Sequence, residues 1–136
     1  MDGKEHVLLD RKAFCAELQQ PNIAFEKMTG RKLDALWRAP GGRLTAHARE
    51  WGAGCCFTRH VGWIDAGFLG DELPSEQFPN DMLLKRALAK IKDGDIVVMH
   101  LGIWSRKDPF APMLDPLLTG LKQKGFCFAT LVLTRP

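Results

Sequence analysis

The sequence predicts a single α/β domain with mostly parallel strands. Short apolar segments alternate with amphipathic segments along the chain, which is the pattern of parallel strand–helix units. The 136 residues are 46% apolar and 26% charged, a composition that supports a packed core and excludes general disorder. We therefore expect one domain that spans residues 1–136.

Local signals divide the first half of the chain into two helices and two strands. Asp10 is a typical N-cap for a helix, which Pro21 is expected to interrupt and Gly30 to end. The next predicted elements are a strand at 33–37 with a tight loop at 38–42, a helix at 45–51 and a strand at 59–64.

The second half begins with a long loop at 65–79, rich in glycine, proline and acidic residues, of a kind that often binds ligands. Asn80 is expected to cap the next helix, and Gly125 to end the last one. The apolar faces of these two helices are Leu84, Ala87, Leu88 and Ile91, and then Leu114, Leu117, Leu118 and Leu121. Lys85, Arg86 and Lys90 are expected to face outward. Buried strands are predicted at 96–99 and 126–131, with a second long loop at 102–112.

Charge and targeting signals exclude several classes of protein. The formal net charge is only +3, and no basic tract is interleaved with aromatic residues, so we expect no nucleic-acid partner. No apolar run approaches the roughly 20 residues that span a bilayer, and the polar N-terminus has no signal-peptide core. As written, the chain is therefore expected in the cytoplasm. The four cysteines have no C-x-x-C spacing and are expected to be small buried side chains.

Two polar residues fall at the carboxyl ends of predicted strands, where parallel strand–helix folds carry their sites. His100 follows an apolar run and suits a general acid or base; the alternative is a core histidine bonded to a backbone carbonyl. Arg38 suits a carboxylate partner, and the Pro40-Gly41-Gly42 turn after it can offer a backbone N–H to an oxyanion. The alternative is a plain turn beside a surface arginine. We expect Arg38 and His100 to converge on one cleft.

The remaining candidates are weaker. Asp65, Asp71 and Glu72 are predicted to be solvated loop acids. Trp63 and Trp104 suit an apolar platform for a sugar, with core packing as the alternative. The last group is expected to have no site role: His6, His47 and His60, which lack metal-ligand spacing, and Trp37 and Trp51, which suit a core.

Three stretches together resemble the polysaccharide deacetylase family, that is, the NodB-homology or carbohydrate esterase family 4 domains. Residues 36–42, Leu-Trp-Arg-Ala-Pro-Gly-Gly, are similar to the family's R-x-P-x-G motif. Residues 93–100, Asp-Gly-Asp-Ile-Val-Val-Met-His, are similar to its closing L-x-L-H motif, and residues 117–131 to its last helix and strand. The resemblance covers about residues 10–131.

The resemblance implies a partial irregular (β/α) barrel and metal-dependent removal of N- or O-acetyl groups from a polysaccharide or oligosaccharide. His100 matches the general acid that protonates the leaving amine, and Arg38 matches the residue that orients the catalytic base. The other implied roles are an oxyanion donor at Gly41, a pocket for the acetyl methyl at Val97 and Met99, and an aspartate/tryptophan motif near Trp63 and Asp65. Asp65 would then be the acid that tunes the histidine. The family's D-x-x-D-W pattern is not reproduced, because Phe68 stands at the place of its second acid.

The family's front motifs are missing from the sequence. It contains neither a T-F-D-D segment nor an H-x-x-x-H pair; Asp2 and His6 stand at the places of the two histidines. The zinc or other divalent metal of the complete domain therefore has no ligand set here. We expect a C-terminal part of the family's barrel, inactive alone and prone to self-association through exposed strand edges. The resemblance places such proteins in the cell envelope or periplasm. The alternatives are a non-catalytic relic that binds a glycan or a protein, and an unrelated α/β binding domain.

Overall fold

The computed structural model describes residues 9–100, 102–103 and 106–131, and the chain forms two compact units, Met1–Gly62 and Trp63–Pro136. Each unit has its own apolar core. The core of the N-terminal unit consists of Phe14, Trp37, Ala39, Ala48, Cys55 and Phe57. The core of the C-terminal unit consists of Leu69, Leu83, Ala87, Ile91, Phe110, Leu117 and Leu121.

Helix α1 (Arg11–Thr29) opens the N-terminal unit. The Asp10 side chain accepts a hydrogen bond from the Ala13 N–H at 2.8 Å, and Gly30 ends the helix in the left-handed conformation. The predicted break at Pro21 is wrong, because α1 runs through this residue without interruption. Pro21 removes one backbone donor, but the turns on both sides keep their hydrogen bonds and the second half has its own C-cap.

Strand β1 (Leu36–Trp37), helix α2 (Ala46–Gly54) and strand β2 (Arg59–His60) form the rest of this unit. The two strands pair in parallel, with Leu36 opposite Arg59, so α2 is the crossover of a strand–helix–strand unit. Thr45 caps α2 through a hydrogen bond from the Ala48 N–H. Trp37 is buried, as predicted, and its ring meets that of Phe14 edge to face.

A disulfide between Cys15 and Cys55 joins α1 to the end of α2, with the two Cα atoms 5.5 Å apart. The expectation that the cysteines are merely small buried side chains is therefore wrong for this pair. It is also wrong for Cys56 and Cys127, which are exposed. Helix packing brings the two bonded cysteines together across 40 positions of sequence, which spacing alone does not reveal.

The C-terminal unit contains helices α3 (Asn80–Lys90) and α4 (Leu114–Gln123), with short 3-10 turns at Asp65–Gly67 and Ala111–Met113. The apolar face of α3 is centred on Leu83 and Ala87, and Leu84 and Leu88 are only partly buried. Asn80 is the first helical residue rather than the cap, because its side chain binds Asp108 and the Pro109 carbonyl. Arg86, expected to face outward, donates to the carbonyl of Leu69 at 2.5 Å.

The predicted strands of this unit are much shorter in the structure. Segment 96–99 is reduced to one parallel bridge between Val98 and Phe68, and segment 126–131 is not a strand. Phe128 and Leu131 are half-exposed. A strand needs a neighbour to satisfy its backbone groups, and the described part of the chain gives segment 126–131 no such partner. The partial barrel stays a prediction, as does the single domain.

None of the helices in the described ranges is long and apolar enough to cross a bilayer.

Candidate functional site

His100 contacts two carboxylates in the C-terminal unit. Its backbone N–H donates to Asp71 Oδ2 at 2.5 Å, and its ring Nδ1 lies 3.0 Å from Asp71 Oδ1. On the other side of the ring, Nε2 lies 3.5 Å from Glu72 Oε2. Consecutive acidic residues of the first long loop therefore face the two nitrogens of one imidazole.

The Asp71 carboxylate determines which ring nitrogen carries the proton. Its side chain is only 2% exposed, and an ionised carboxylate can only accept hydrogen bonds. In the neutral ring, the nitrogen that hydrogen-bonds this carboxylate, Nδ1, therefore carries the hydrogen. Glu72 Oε2 lies 3.5 Å from Nε2, beyond ordinary hydrogen-bond length, so Nε2 is left as the proton acceptor. Nε2 lies on the more open side, because the His100 side chain is 29% exposed and that of Glu72 45%. This is the arrangement of a general acid–base group held by a buried acid.

Two backbone contacts bring the acidic loop to His100. The Val98 N–H donates to the Gly67 carbonyl at 2.9 Å, next to the parallel bridge between Phe68 and Val98. Gly67 is required here, since a Cβ at this position would collide with the carbonyl oxygen of Ile96. The chain from Phe68 onward thus runs beside the segment that leads into His100.

The acid that holds His100 is Asp71, which the sequence predicts to be a solvated loop acid. That prediction is wrong, because Asp71 is 3% exposed. Asp65, the acid that the family resemblance favours, is exposed at the start of the 3-10 turn. The 29 positions between Asp71 and His100 carry no periodic signal. The only hint in the sequence is a pair of acids in a glycine-rich loop.

Val97 and Met99 line an apolar groove of about 410 Å³ together with helix α4 and the segment that follows it. Leu117 and Leu121 of α4 form one side, and Phe128 closes part of the other. The residues that line this groove do not include His100. Two of the residues expected to hold an acetyl methyl therefore share a cavity, which is far larger than one methyl group needs.

Arg38 and Gly41 belong to the N-terminal unit, at the end of β1. Arg38 is exposed, and Gly41 has a φ of +61° in the 3-10 turn Pro40–Gly42, a conformation that favours glycine. The loop is anchored through His60, whose Nε2 accepts a hydrogen bond from the Ala39 N–H at 3.2 Å. The sequence predicts no site role for His60, because it lacks metal-ligand spacing, yet in the structure its side chain supports this loop.

Burial of the imidazole lowers the pKa of His60 from its usual value of 6.5, and the positive charge of Arg49 on α2 acts in the same direction. The ring also meets Trp37 edge to face, with centroids 4.8 Å apart. His60 is therefore a neutral hydrogen-bond acceptor in the folded N-terminal unit near neutral pH.

Of the two tryptophans predicted to form a sugar platform, the structure describes one. Trp63 is half-buried just before the 3-10 turn at Asp65–Gly67. Trp104 lies outside the described residues, as do Asp2 and His6. Of the other two tryptophans, Trp51 packs against the core of the N-terminal unit beside the buried Trp37.

The described residues do not fit a metal centre. Within residues 9–100, 102–103 and 106–131, no group of three or more histidine, cysteine, aspartate or glutamate side chains could hold an ion. His100 and Glu72 bring two donors together, whereas protein zinc sites use three or four. The metal implied by the family resemblance therefore has no ligand set in this part of the chain.

Comparison of the chain with protein-family models, with curated proteins and with solved structures gave no match.

Proposed function

We propose that this protein is polysaccharide deacetylase-like and that its C-terminal unit carries the general acid of a deacetylation site. The observation that carries the proposal is the contact of His100 with Asp71 and Glu72. His100 is the residue that matches the histidine of the family's closing motif, and in the family resemblance this residue needs an acid behind it. The substrate class is an acetylated polysaccharide or oligosaccharide.

In this proposal, His100 acts through Nε2. Once water has added to the acetyl carbonyl and released one proton to the solvent, the oxyanion re-forms the C=O bond, the C–N bond breaks and its electron pair goes to the nitrogen. Protonated His100 donates its Nε2 proton to that nitrogen, so that the products are the neutral amine and acetic acid, which then ionises in solution. Asp71 holds Nδ1 and the backbone of the same residue, which keeps the ring oriented during the transfer.

The proposal assigns binding and proton transfer to this chain, and not activation of water. Activation belongs to the zinc or other divalent metal of the complete family domain, for which the described residues offer no ligand set. We therefore expect the chain alone to bind an acetylated oligosaccharide at His100 without hydrolysing it.

An NMR titration with N-acetylated chito-oligosaccharide tests the proposal. The ring ¹⁵N resonances of His100 are expected to shift on binding, and His100→Gln is expected to weaken the affinity about tenfold, or roughly 1.4 kcal/mol. His47→Gln is the matched control, because His47 is exposed on α2. Binding that leaves His100 unshifted, or no binding at millimolar concentration, would contradict the proposal.

The second candidate function is a non-catalytic relic that binds a glycan or a protein partner. The lack of a described metal-ligand set favours it. A protein that only binds the glycan needs no proton transfer from Nε2 of His100. In that case the glycan affinity of His100→Gln would equal that of the unchanged chain. The same titration therefore separates the two functions.

A further inference from the structure

The Asp71–Glu72 pair lies between two arginine side chains that bind the backbone on either side of it. Before the pair, Arg86 of α3 donates to the Leu69 carbonyl at 2.5 Å. After the pair, Arg106 donates to the Leu73 carbonyl, also at 2.5 Å. The two anchored carbonyls are only four residues apart, and the acids that face His100 are between them.

Arg106 is a buried cation and not a surface residue. It is 5% exposed, and its guanidinium also donates to the Phe78 carbonyl at 3.0 Å and to Asn80 Oδ1 at 2.6 Å. Its Nε is buried with no hydrogen-bond partner. A guanidinium is costly to bury, and an apolar side chain would fill the same space at lower cost. The fork of donors, which reaches Leu73 and the end of the loop at Phe78 and Asn80 at once, is what distinguishes arginine here.

The neighbours of Arg106 bind the same loop. The Asp108 N–H donates to Ser75 Oγ at 2.9 Å, and Lys107 pairs with Glu76 at 2.7 Å. These contacts are on the surface, since Lys107 and Glu76 are mostly exposed, and they add little rigidity. The buried connection is that of Arg106.

The Arg86 anchor also depends on glycine. Gly70 has a φ of +78°, and a Cβ at this position would collide with the Arg86 guanidinium. The Leu73 N–H closes the turn by donating to the Gly70 carbonyl at 3.0 Å. The turn that presents Asp71 and Glu72 is thus fixed at both ends by a buried or half-buried arginine.

We propose that Arg86 and Arg106 are positioning residues that hold Asp71 and Glu72 against His100 by fixing the backbone on both sides of the acid pair. The importance of this geometry rests on the proposed function, in which His100 is the general acid. The geometry itself can be measured without any substrate.

The test measures the tautomer of His100 by ring ¹⁵N NMR in the ligand-free chain, with circular dichroism as the check of folding. In the unchanged chain, the neutral form of His100 is expected to carry its ring proton on Nδ1. In Arg106→Met the signals are expected to shift toward a mixture of both tautomers, because Asp71 is no longer held at Nδ1. Arg106→Lys is expected to restore part of the Nδ1–H population, since one ammonium still reaches a carbonyl.

Lys107→Met is the matched control, because it removes a cation from the same segment but only an exposed ion pair, and its His100 spectrum should equal that of the unchanged chain. A folded Arg106→Met with an unchanged tautomer would overturn the proposal. If Arg106→Met does not fold, Arg106→Lys and Arg86→Met decide. The first loses the two-nitrogen fork of Arg106, and the second loses the one Arg86 nitrogen that donates to the Leu69 carbonyl. An unshifted His100 in both variants overturns the proposal as well. If the oligosaccharide titration shows no binding but the arginine variants shift the tautomer of His100, the proposed function is contradicted. The positioning role of Arg86 and Arg106 is then still supported.

Discussion

Both carboxylate oxygens of Asp71 contact a single residue, one through the backbone N–H of His100 and the other through its ring. Because the Asp71 carboxylate is buried, it must receive its hydrogen bonds from the few donors that reach it. The backbone N–H is always a donor, whereas the ring nitrogen is a donor only in one tautomer. The contact therefore favours the tautomer of neutral His100 that carries its proton on Nδ1.

Asp71→Asn is expected to invert the tautomer of His100. The amide oxygen of asparagine must face the backbone N–H, so its NH₂ group faces Nδ1, which then has to be an acceptor. Ring ¹⁵N shifts of the neutral histidine measure the change from Nδ1–H to Nε2–H. Glu72→Gln is the control, since Glu72 faces the other nitrogen at 3.5 Å. Unchanged ring shifts in Asp71→Asn would contradict the assignment.

His60 is expected to make the stability of the chain depend on pH below about 6.5. Its pKa is lowered in the folded state, so the unfolded chain binds more protons and the free energy of unfolding falls as pH falls from the usual value of 6.5 toward the folded pKa. Protonation also removes the acceptor for the Ala39 N–H.

Urea unfolding of the unchanged chain and of His60→Gln, at about pH 5 and about pH 7.5, measures this contribution. The glutamine oxygen can still accept from the Ala39 N–H, and we expect the variant to lose less stability at the lower pH. His47→Gln, on the exposed side of α2, should follow the unchanged chain. Equal losses in all three proteins would show that His60 has no part in the pH dependence.

At the scale of elements, α1 and α2 depend on a covalent link. The Cys15–Cys55 disulfide closes a loop of 40 positions that contains β1 and all of α2. In addition, the Gln19 side chain donates to the Cys55 carbonyl at 2.9 Å. The second half of α1 is less well packed, since Ile23 and Met28 are mostly exposed. The link therefore fixes the half of α1 that carries the core residue Phe14.

Cys55→Ala is expected to lower the free energy of unfolding by about 2–4 kcal/mol, because an open loop gives the unfolded chain more conformations. Reduction of the unchanged chain should lower it by a similar amount. Urea unfolding with and without a thiol reductant measures both effects. Cys127→Ala is the control, because this exposed thiol forms no disulfide. A Cys55→Ala variant as stable as the oxidised chain would exclude a stabilising disulfide.

At the scale of the whole molecule, the chain is expected to release no acetate from acetylated chito-oligosaccharide, with or without added zinc or cobalt. The sequence has no T-F-D-D or H-x-x-x-H motif, and the described residues offer no group of three metal ligands. A complete deacetylase of the family serves as the positive control in the same assay. Metal-stimulated release of acetate that disappears in His100→Gln would contradict the expectation.

The sequence by itself determined the local elements. The cap at Asp10, the end of α1 at Gly30, and helices α2, α3 and α4 follow from side chains only a few positions apart, so a short window of sequence contains their signals. The sequence also indicates His100 as a candidate site residue, from its place after an apolar run. The strands were predicted too long, because strand length depends on neighbours that the window does not contain.

Only the tertiary structure decided what surrounds His100. Asp71 is 29 positions away, and Arg106 binds Leu73 across 33 positions. Cys15 meets Cys55 across 40 positions. Such contacts are set by how helices and loops pack, and not by the preferences of the residues themselves. The sequence therefore predicts a solvated acid at Asp71, whereas in the fold Asp71 is the buried acid that orients the imidazole of His100.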